Sequence, residues 1–371
     1  MSALYLHIPF CKRICAYCDF HRFADLSALG RVVEAMHAEM DETADFLHDR
    51  EIRTIYFGGG TPSLLPPAEL QRFMDHAARI YDLAELEEVT VEVNPDDVTE
   101  EFVNELKQTA VNRISVGIQS FDDRLLRLMN RRHDAAQAER SVKRLQDAGY
   151  QNITVDLIFG FEGFGDEVTA GDLQHILRLG VQHVSAYHLT IEPDTRLGRM
   201  AARGEFFAIS DERSERLFNM IHNTLTANGF EHYEVSNYAL GGFRSRHNSS
   251  YWTGTEYLGI GTGAHSFDGV QRRWCVQRPE EYAAERRYES ETLTERDRLN
   301  EMIMTSLRRV EGLDMKAVAE RFGAARAERL LREARALAGY GVTVAGDGSK
   351  IEIAPGKMLT SDAVIEQLFE L

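Results

Sequence analysis

The stretch HIPFCKRICAYCDF, His7–Phe20, carries three of the chain's four cysteines, Cys11, Cys15 and Cys18, and then ends on Phe20. It follows ALYLHI, an apolar run that reads as a strand, so the thiols sit on a loop just past a strand end. A Cys-x3-Cys-x2-Cys loop can present sulfurs to different corners of an iron–sulfur cubane, and with only three local ligands one iron is left open to a substrate or cofactor. Zinc competes as a reading, because Cys3His is a sound tetrahedral set and His21 lies three residues beyond Cys18. Against zinc, the chain has no second CxxC knuckle. Cys275 stands alone and reads as a small buried apolar residue.

Further along the chain the same grammar repeats. Short apolar runs closed by Gly, Pro or polar residues alternate with amphipathic stretches, the pattern of βα units. Strands are expected at ALYLHI, IRTIYF from Ile52, VTVEV from Val89, RISVGI from Arg113, ITVDLIF from Ile153 and HVSAYHL from His183. Helices are expected over Arg31–Leu47 and Ala135–Ala148, among others. With little polar interruption, these strands suit a parallel sheet buried on both faces. The expected fold is α/β, an incomplete (β/α)6 barrel, with a doubly wound open sheet as the alternative.

In either case the chemistry belongs past the carboxyl ends of the strands. Those ends carry the cysteine loop, GGGTP, Asn94-Pro95, Gln119-Ser120, Gly160 and TIEPDT in turn. The glycines of FGGGTPS, Phe57–Ser63, let backbone approach a ligand closely. Glu92 and Asp156 lie in apolar company, where a charge is costly unless paired.

The rhythm fades after Ser210 into a helix, Asp211–Asn228, and then a mixed region holding HNSSYW, His247–Trp252. On its residues alone, that motif reads as a loop whose His is a hydrogen-bonding group. The C-terminal part offers helices over Arg296–Arg308, Met315–Phe322 and Ala325–Leu337 and a hairpin about Gly346-Asp347-Gly348, a winged-helix-like unit. Three regions are therefore expected: 1–210 as the partial barrel, 211–290 as a connecting region, and 291–371 as the C-terminal domain.

Forty-three per cent apolar and 27% charged residues are ordinary for a folded soluble chain, and a net charge of −17 disfavours polyanions. Arg326, Arg329, Arg332 and Arg335 recur on one helix but are interleaved with Glu328 and Glu333, which favours a solvated ion-paired face over nucleic-acid binding. The N-terminus MSALYLHIPF has no signal-peptide pattern, and no apolar run nears the ~18 residues of a membrane span. The expectation is a cytoplasmic protein without a membrane span, where clustered cysteines mean metal or redox chemistry rather than disulfides.

Taken in order, CxxxCxxC in the first βα loop followed by GGGTP resembles the radical S-adenosylmethionine (SAM) superfamily. YLHIPFC, VEVNP, RISVGIQSF, NRRH and VDLIFG are similar to the branch that contains oxygen-independent coproporphyrinogen III dehydrogenase and the haem chaperones, over Tyr5 to about Phe267. The resemblance implies a [4Fe-4S] cluster on Cys11, Cys15 and Cys18. It also implies SAM contacts at Tyr5, Tyr17, Gly59, Gly60, Thr61, Glu92, Gln119, Arg131 and Asp156. In that superfamily one electron from the reduced cluster splits SAM into methionine and a 5′-deoxyadenosyl radical, so an electron donor is implied if SAM is cleaved.

Two features choose between the branches. The dehydrogenase has a fourth cysteine where this chain has Phe20, and HNSSYW resembles the haem-binding HNxxYW signature. That assigns haem contacts to His247, Asn248, Tyr251 and Trp252, with haem and haem-acceptor proteins as partners. Glu162 and Thr262 depart from the branch pattern, which commonly shows Leu-Pro-Gly and Pro at those places.

Overall fold

The computed structural model describes residues 2–370. The six expected strands form as β1 (Ser2–Ile8), β2 (Ile52–Gly59), β3 (Glu88–Val93), β4 (Arg113–Gln119), β5 (Ile153–Phe159) and β6 (His183–His188). They lie side by side in chain order, all parallel, with helices in the crossovers. The sheet does not close. Glu256–Ile260 adds in parallel to the free edge of β1, and antiparallel strands extend both edges, giving a 12-stranded mixed open sheet among the described residues.

Each parallel strand alternates. One set of side chains, such as Leu4, Leu6 and Ile8 in β1 or Ile114, Val116 and Ile118 in β4, packs in the apolar core. The other set is polar and meets its counterparts on neighbouring strands: Tyr56 reaches Glu92, Ser115 reaches Asp156, and Arg113 reaches Thr154. The sheet is buried on both faces, as expected, but one of them is a polar interior. A period of two places successive residues on opposite faces, so a strand such as RISVGIQ serves both.

The helix expected over Arg31–Leu47 runs over Leu29–Glu42. It stops where the backbone N–H and hydroxyl of Thr43 both donate to the Glu39 carbonyl. Residues from the 211–290 stretch, including Leu217, Tyr238, Leu258 and Tyr282, share the main core. A second core gathers Leu299, Leu313, Val318, Leu330, Ile351 and Leu368. Around it lie the helices Glu295–Leu307, Met315–Phe322 and Ala324–Ala336 and a three-stranded sheet with Lys350–Ile353 in the middle, a winged-helix-like arrangement. Arg326 pairs with Glu295 and Glu370, and Arg329 with Glu333, so these two arginines of that helix are engaged by acids. Among the described residues no helix is long and apolar enough to cross a membrane.

Candidate functional site

A cleft of about 450 Å³ opens past the carboxyl ends of the strands. Its walls include Cys11, Cys15, Cys18, Tyr17, Gly59, Gly60, Thr61, Glu92, Gln119, Arg131 and Asp156, so residues spread over 146 positions of sequence meet in one place. Tyr5 is not on the wall. It sits beneath, its hydroxyl hydrogen-bonded to His7 Nδ1 at 3.0 Å.

The cysteine loop is held from three sides. Cys11 N donates to the Phe23 carbonyl at 2.9 Å, and Ala16 N to the Met129 carbonyl at 2.9 Å. Thr61 Oγ1 donates to Cys11 Sγ at 3.3 Å, and Arg131 Nη1 to Cys15 Sγ at 3.2 Å. Arg131 also donates to Asn94 Oδ1 at 2.6 Å and to the Gly117 carbonyl, so one guanidinium ties the thiol loop to the ends of β3 and β4. Phe20, 63% exposed, stands at the rim.

The glycines do something other than expected. They line the cleft, but their missing Cβ atoms chiefly admit the first strand and its loop. A Cβ on Gly59, where φ is +111°, would lie 2.8 Å from the His7 ring, and one on Gly60 would lie 2.7 Å from the Phe10 carbonyl oxygen. Gly60→Ala is therefore expected to push the cysteine loop's own backbone, costing about 1–3 kcal/mol by overpacking. Urea unfolding of the full chain, with iron content measured in parallel, checks this.

Gln119 is one of two non-glycine residues with positive φ among the described residues, at 73°, and it follows a register shift between β4 and β5. A bulge with left-handed backbone is costly and re-aims a side chain, here into the cleft. Burial raises the Glu92 carboxyl to about 7, against the Tyr56 hydroxyl that donates to it at 2.8 Å. Burial likewise raises Asp156 to about 6, opposed by hydrogen bonds from Ser185 and Ser115 and by Arg113. A ligand carrying an ammonium or sulfonium group favours the ionised acids, so binding releases protons. Affinity for such a ligand is expected to rise from pH 6 to about pH 8 and then level; isothermal titration with SAM across that range tests it.

Three thiols within one cleft, crossed by a buried arginine, match the donor chemistry of a cluster. Burial pushes the Cys18 thiol up to about 11 and Cys11 in the same direction, so thiolates here call for a cationic partner. His21, the fourth ligand of the zinc reading, is turned away: its Nε2 is hydrogen-bonded to Thr262 Oγ1 at 3.0 Å and to the Gln277 carbonyl at 2.8 Å. Among the described residues no three Cys, His, Asp or Glu side chains are grouped as around a single metal ion. Thr262 thus uses its hydroxyl in a buried knot, also accepting from Gln277 N at 2.8 Å. Glu162 is half exposed and lies 3.7 Å from Arg213. Cys275 is buried.

HNSSYW is a short helix, Arg246–Trp252, rather than a loop, and it lies at the opposite end of the strands. Ser245 caps it, and Glu88, at the start of β3, accepts from the backbone N–H of Arg246 at 2.9 Å and of His247 at 3.0 Å. His247 is 1% exposed. Its Nδ1 is hydrogen-bonded to Thr54 at 2.8 Å and its Nε2 to Tyr251 at 2.9 Å, and burial lowers its pKa to about 3. Trp252 lies by the C-terminal domain, with the Arg308 guanidinium 6.0 Å from its ring. The structure therefore gathers the cysteines and eight of the nine SAM candidates and separates them from the four haem candidates.

Several residues of consequence went unflagged in the sequence: Thr54, Tyr56, Glu88 and Arg113 on the polar interior, and Tyr187 on the cleft wall. The signal was the alternation itself, since Arg113, Ser115 and Gly117 share the parity of Gln119, and Tyr5 that of His7.

The model of the radical SAM superfamily matches residues 5–176, and that of the HemN C-terminal domain matches residues 293–352. The chain is 37% identical over 325 residues to the heme chaperone HemW of Lactococcus lactis, covering 86% of this chain and 85% of that one. It is 33% identical to HemW of Bacillus subtilis, with 87% of each chain covered, and 36% identical to HemW of Escherichia coli over 71% and 69%. Among solved structures, coproporphyrinogen III oxidase (HemN) from Escherichia coli superposes with a TM-score of 0.82 over 99% of this chain and 90% of that one at 21% identity, a likeness of fold. With two domain models in order and relatives above 30% identity over most of both chains, this chain belongs to the radical SAM superfamily and, within it, to the HemW family.

Proposed function

We propose that this protein is a haem chaperone: it carries a [4Fe-4S] cluster and SAM in the cleft, binds haem as cargo, and passes it to acceptor proteins in the cytoplasm. The cluster is assigned to Cys11, Cys15 and Cys18, and SAM to the wall of the cleft. The observation that carries the reading is the meeting of these residues in one cleft of a chain whose relatives are named heme chaperones. When bound, the cluster supplies an electron to SAM, given a donor.

The chain's own residues do the rest. Arg131 orients the thiol loop, Glu92 and Asp156 receive the amine and hydroxyl groups of SAM, and Gln119 is held toward it by its strained backbone. Haem contact is assigned to His247, Asn248, Tyr251 and Trp252, of which the Tyr and Trp rings offer flat apolar area. Axial ligation by His247 requires its bonds to Thr54 and Tyr251 to open first.

The test is anaerobic reconstitution followed by haem titration. A Soret band that weakens in His247→Ala is the expected result, and no band at all overturns the chaperone reading. Coproporphyrinogen III supplied with reductant provides the opposing arm, since protoporphyrinogen formation would assign the porphyrinogen-oxidising activity instead.

A further inference from the structure

We infer that Tyr56 is a positioning residue that couples the cleft to the helix Arg246–Trp252, so that SAM at one end and haem at the other weaken each other's binding. The second ligand rests on the haem reading above; the position of Tyr56 does not.

One ring touches both sites. The Tyr56 hydroxyl donates to Glu92 Oε1 at 2.8 Å, and Glu92 lines the cleft. The face of the same ring lies against His247, with centroids 4.9 Å apart and planes at 30°. Thr54, two residues earlier on the same face of β2, is hydrogen-bonded to His247 Nδ1 at 2.8 Å. A single strand therefore holds the histidine of HNSSYW and an acid of the cleft.

The ring has little freedom. Tyr56 is 7% exposed. A Cβ built on Gly58 would stand 2.9 Å from both the Tyr56 and Tyr5 rings, so glycine there makes room for the two aromatics and leaves none over. Tyr5 closes the other side, its ring 6.0 Å from Tyr56 and 6.3 Å from His247. Packed interiors of this kind shift between discrete arrangements rather than deforming smoothly.

The sign of the coupling follows. Both His247 nitrogens are engaged, so haem contact there must displace the imidazole on which Tyr56 rests. Tyr56 then loses its seat, and its hydroxyl no longer fixes the Glu92 carboxylate for an ammonium or hydroxyl of SAM. SAM bound at Glu92 favours the seated ring and hence the closed histidine. Reciprocity requires the two factors to be equal.

The experiment titrates the full-length protein, with its cluster reconstituted anaerobically, with SAM in the presence and absence of haemin, and with haemin in the presence and absence of SAM. In the wild type each ligand is expected to raise the Kd of the other by about fivefold or more. In Tyr56→Phe, which keeps the ring and removes the donor, that factor falls toward one. The pH midpoint of SAM binding also moves up, because the hydroxyl holds the Glu92 carboxyl down. Thr54→Val provides a second variant that loosens His247 without touching Glu92, and it is expected to shrink the factor while leaving the midpoint in place.

A wild-type factor of one, or an equal factor in Tyr56→Phe, overturns the coupling. If the wild type takes up no haem, the haem reading falls by itself and the coupling with it. The positioning of Glu92 by Tyr56 is then judged on the pH midpoint, where an upward shift supports it and an unmoved midpoint overturns it.

Discussion

Replacing Cys15 with Ser is expected to bring the iron and sulfide content of the reconstituted protein down to background and to remove most SAM binding. Its sulfur is the one that Arg131 grips, at 3.2 Å, while the same guanidinium reaches Asn94 and Gly117. Two remaining thiols do not hold a cubane, and a buried arginine loses the thiolate that a bound cluster would place against it. Cys275→Ser is the matched control. That thiol is buried and donates to Gln277 Oε1 at 3.2 Å, away from the cleft, so iron content should hold. Iron retained in Cys15→Ser, or lost in Cys275→Ser, contradicts the assignment of the cluster to the first loop.

The second large effect lies at the other end of the strands. Glu88→Ala is expected to destabilise the fold by about 3–5 kcal/mol, because it leaves the Arg113 guanidinium buried and unpaired. Glu88 is 3% exposed and Arg113 1%, with 3.9 Å between Glu88 Oε2 and Arg113 Nε. The same carboxylate takes the first N–H groups of the helix Arg246–Trp252, so that helix should loosen as well. Urea unfolding measures the loss. The double variant Glu88→Ala/Arg113→Met should recover part of it, since the stranded charge is gone. A double variant as unstable as the single one would show that the helix contacts, not the ion pair, dominate.

Much of this molecule was legible along the chain because its signals are local. Six apolar runs with stops between them made six strands, and the rule that ligands gather past strand ends located the cleft. The cysteine spacing needed no tertiary information. The C-terminal hairpin was marked by Gly346-Asp347-Gly348, and of the acids interleaved with the arginines Glu333 pairs with Arg329.

What the sequence leaves open is non-local. FGGGTPS lines the cleft as its place after a strand suggests, and the sequence does not show that Gly59 and Gly60 also make room for His7 and Phe10, some fifty residues earlier. HNSSYW on its residues alone reads as a loop with a hydrogen-bonding histidine; the histidine is hydrogen-bonded, but Glu88, Thr54 and Tyr251 hold it in a capped helix rather than a loop. His21 looks like a fourth zinc ligand until Thr262 and Gln277 claim its ring.

The sequence by itself determined the six strand segments along the chain, the parallel α/β class and the placing of three thiols on the loop after β1. These depend on period, turn residues and spacing, which are properties of neighbours along the chain. Only the tertiary structure decided that the strands' second face is polar, that eight SAM candidates share a cleft with the cysteines, and that the haem candidates lie at the far end with His247 sealed. Those outcomes depend on which side chains meet across strands far apart in sequence. The burial and pairing of a charge or an imidazole there are set by partners that no local pattern names.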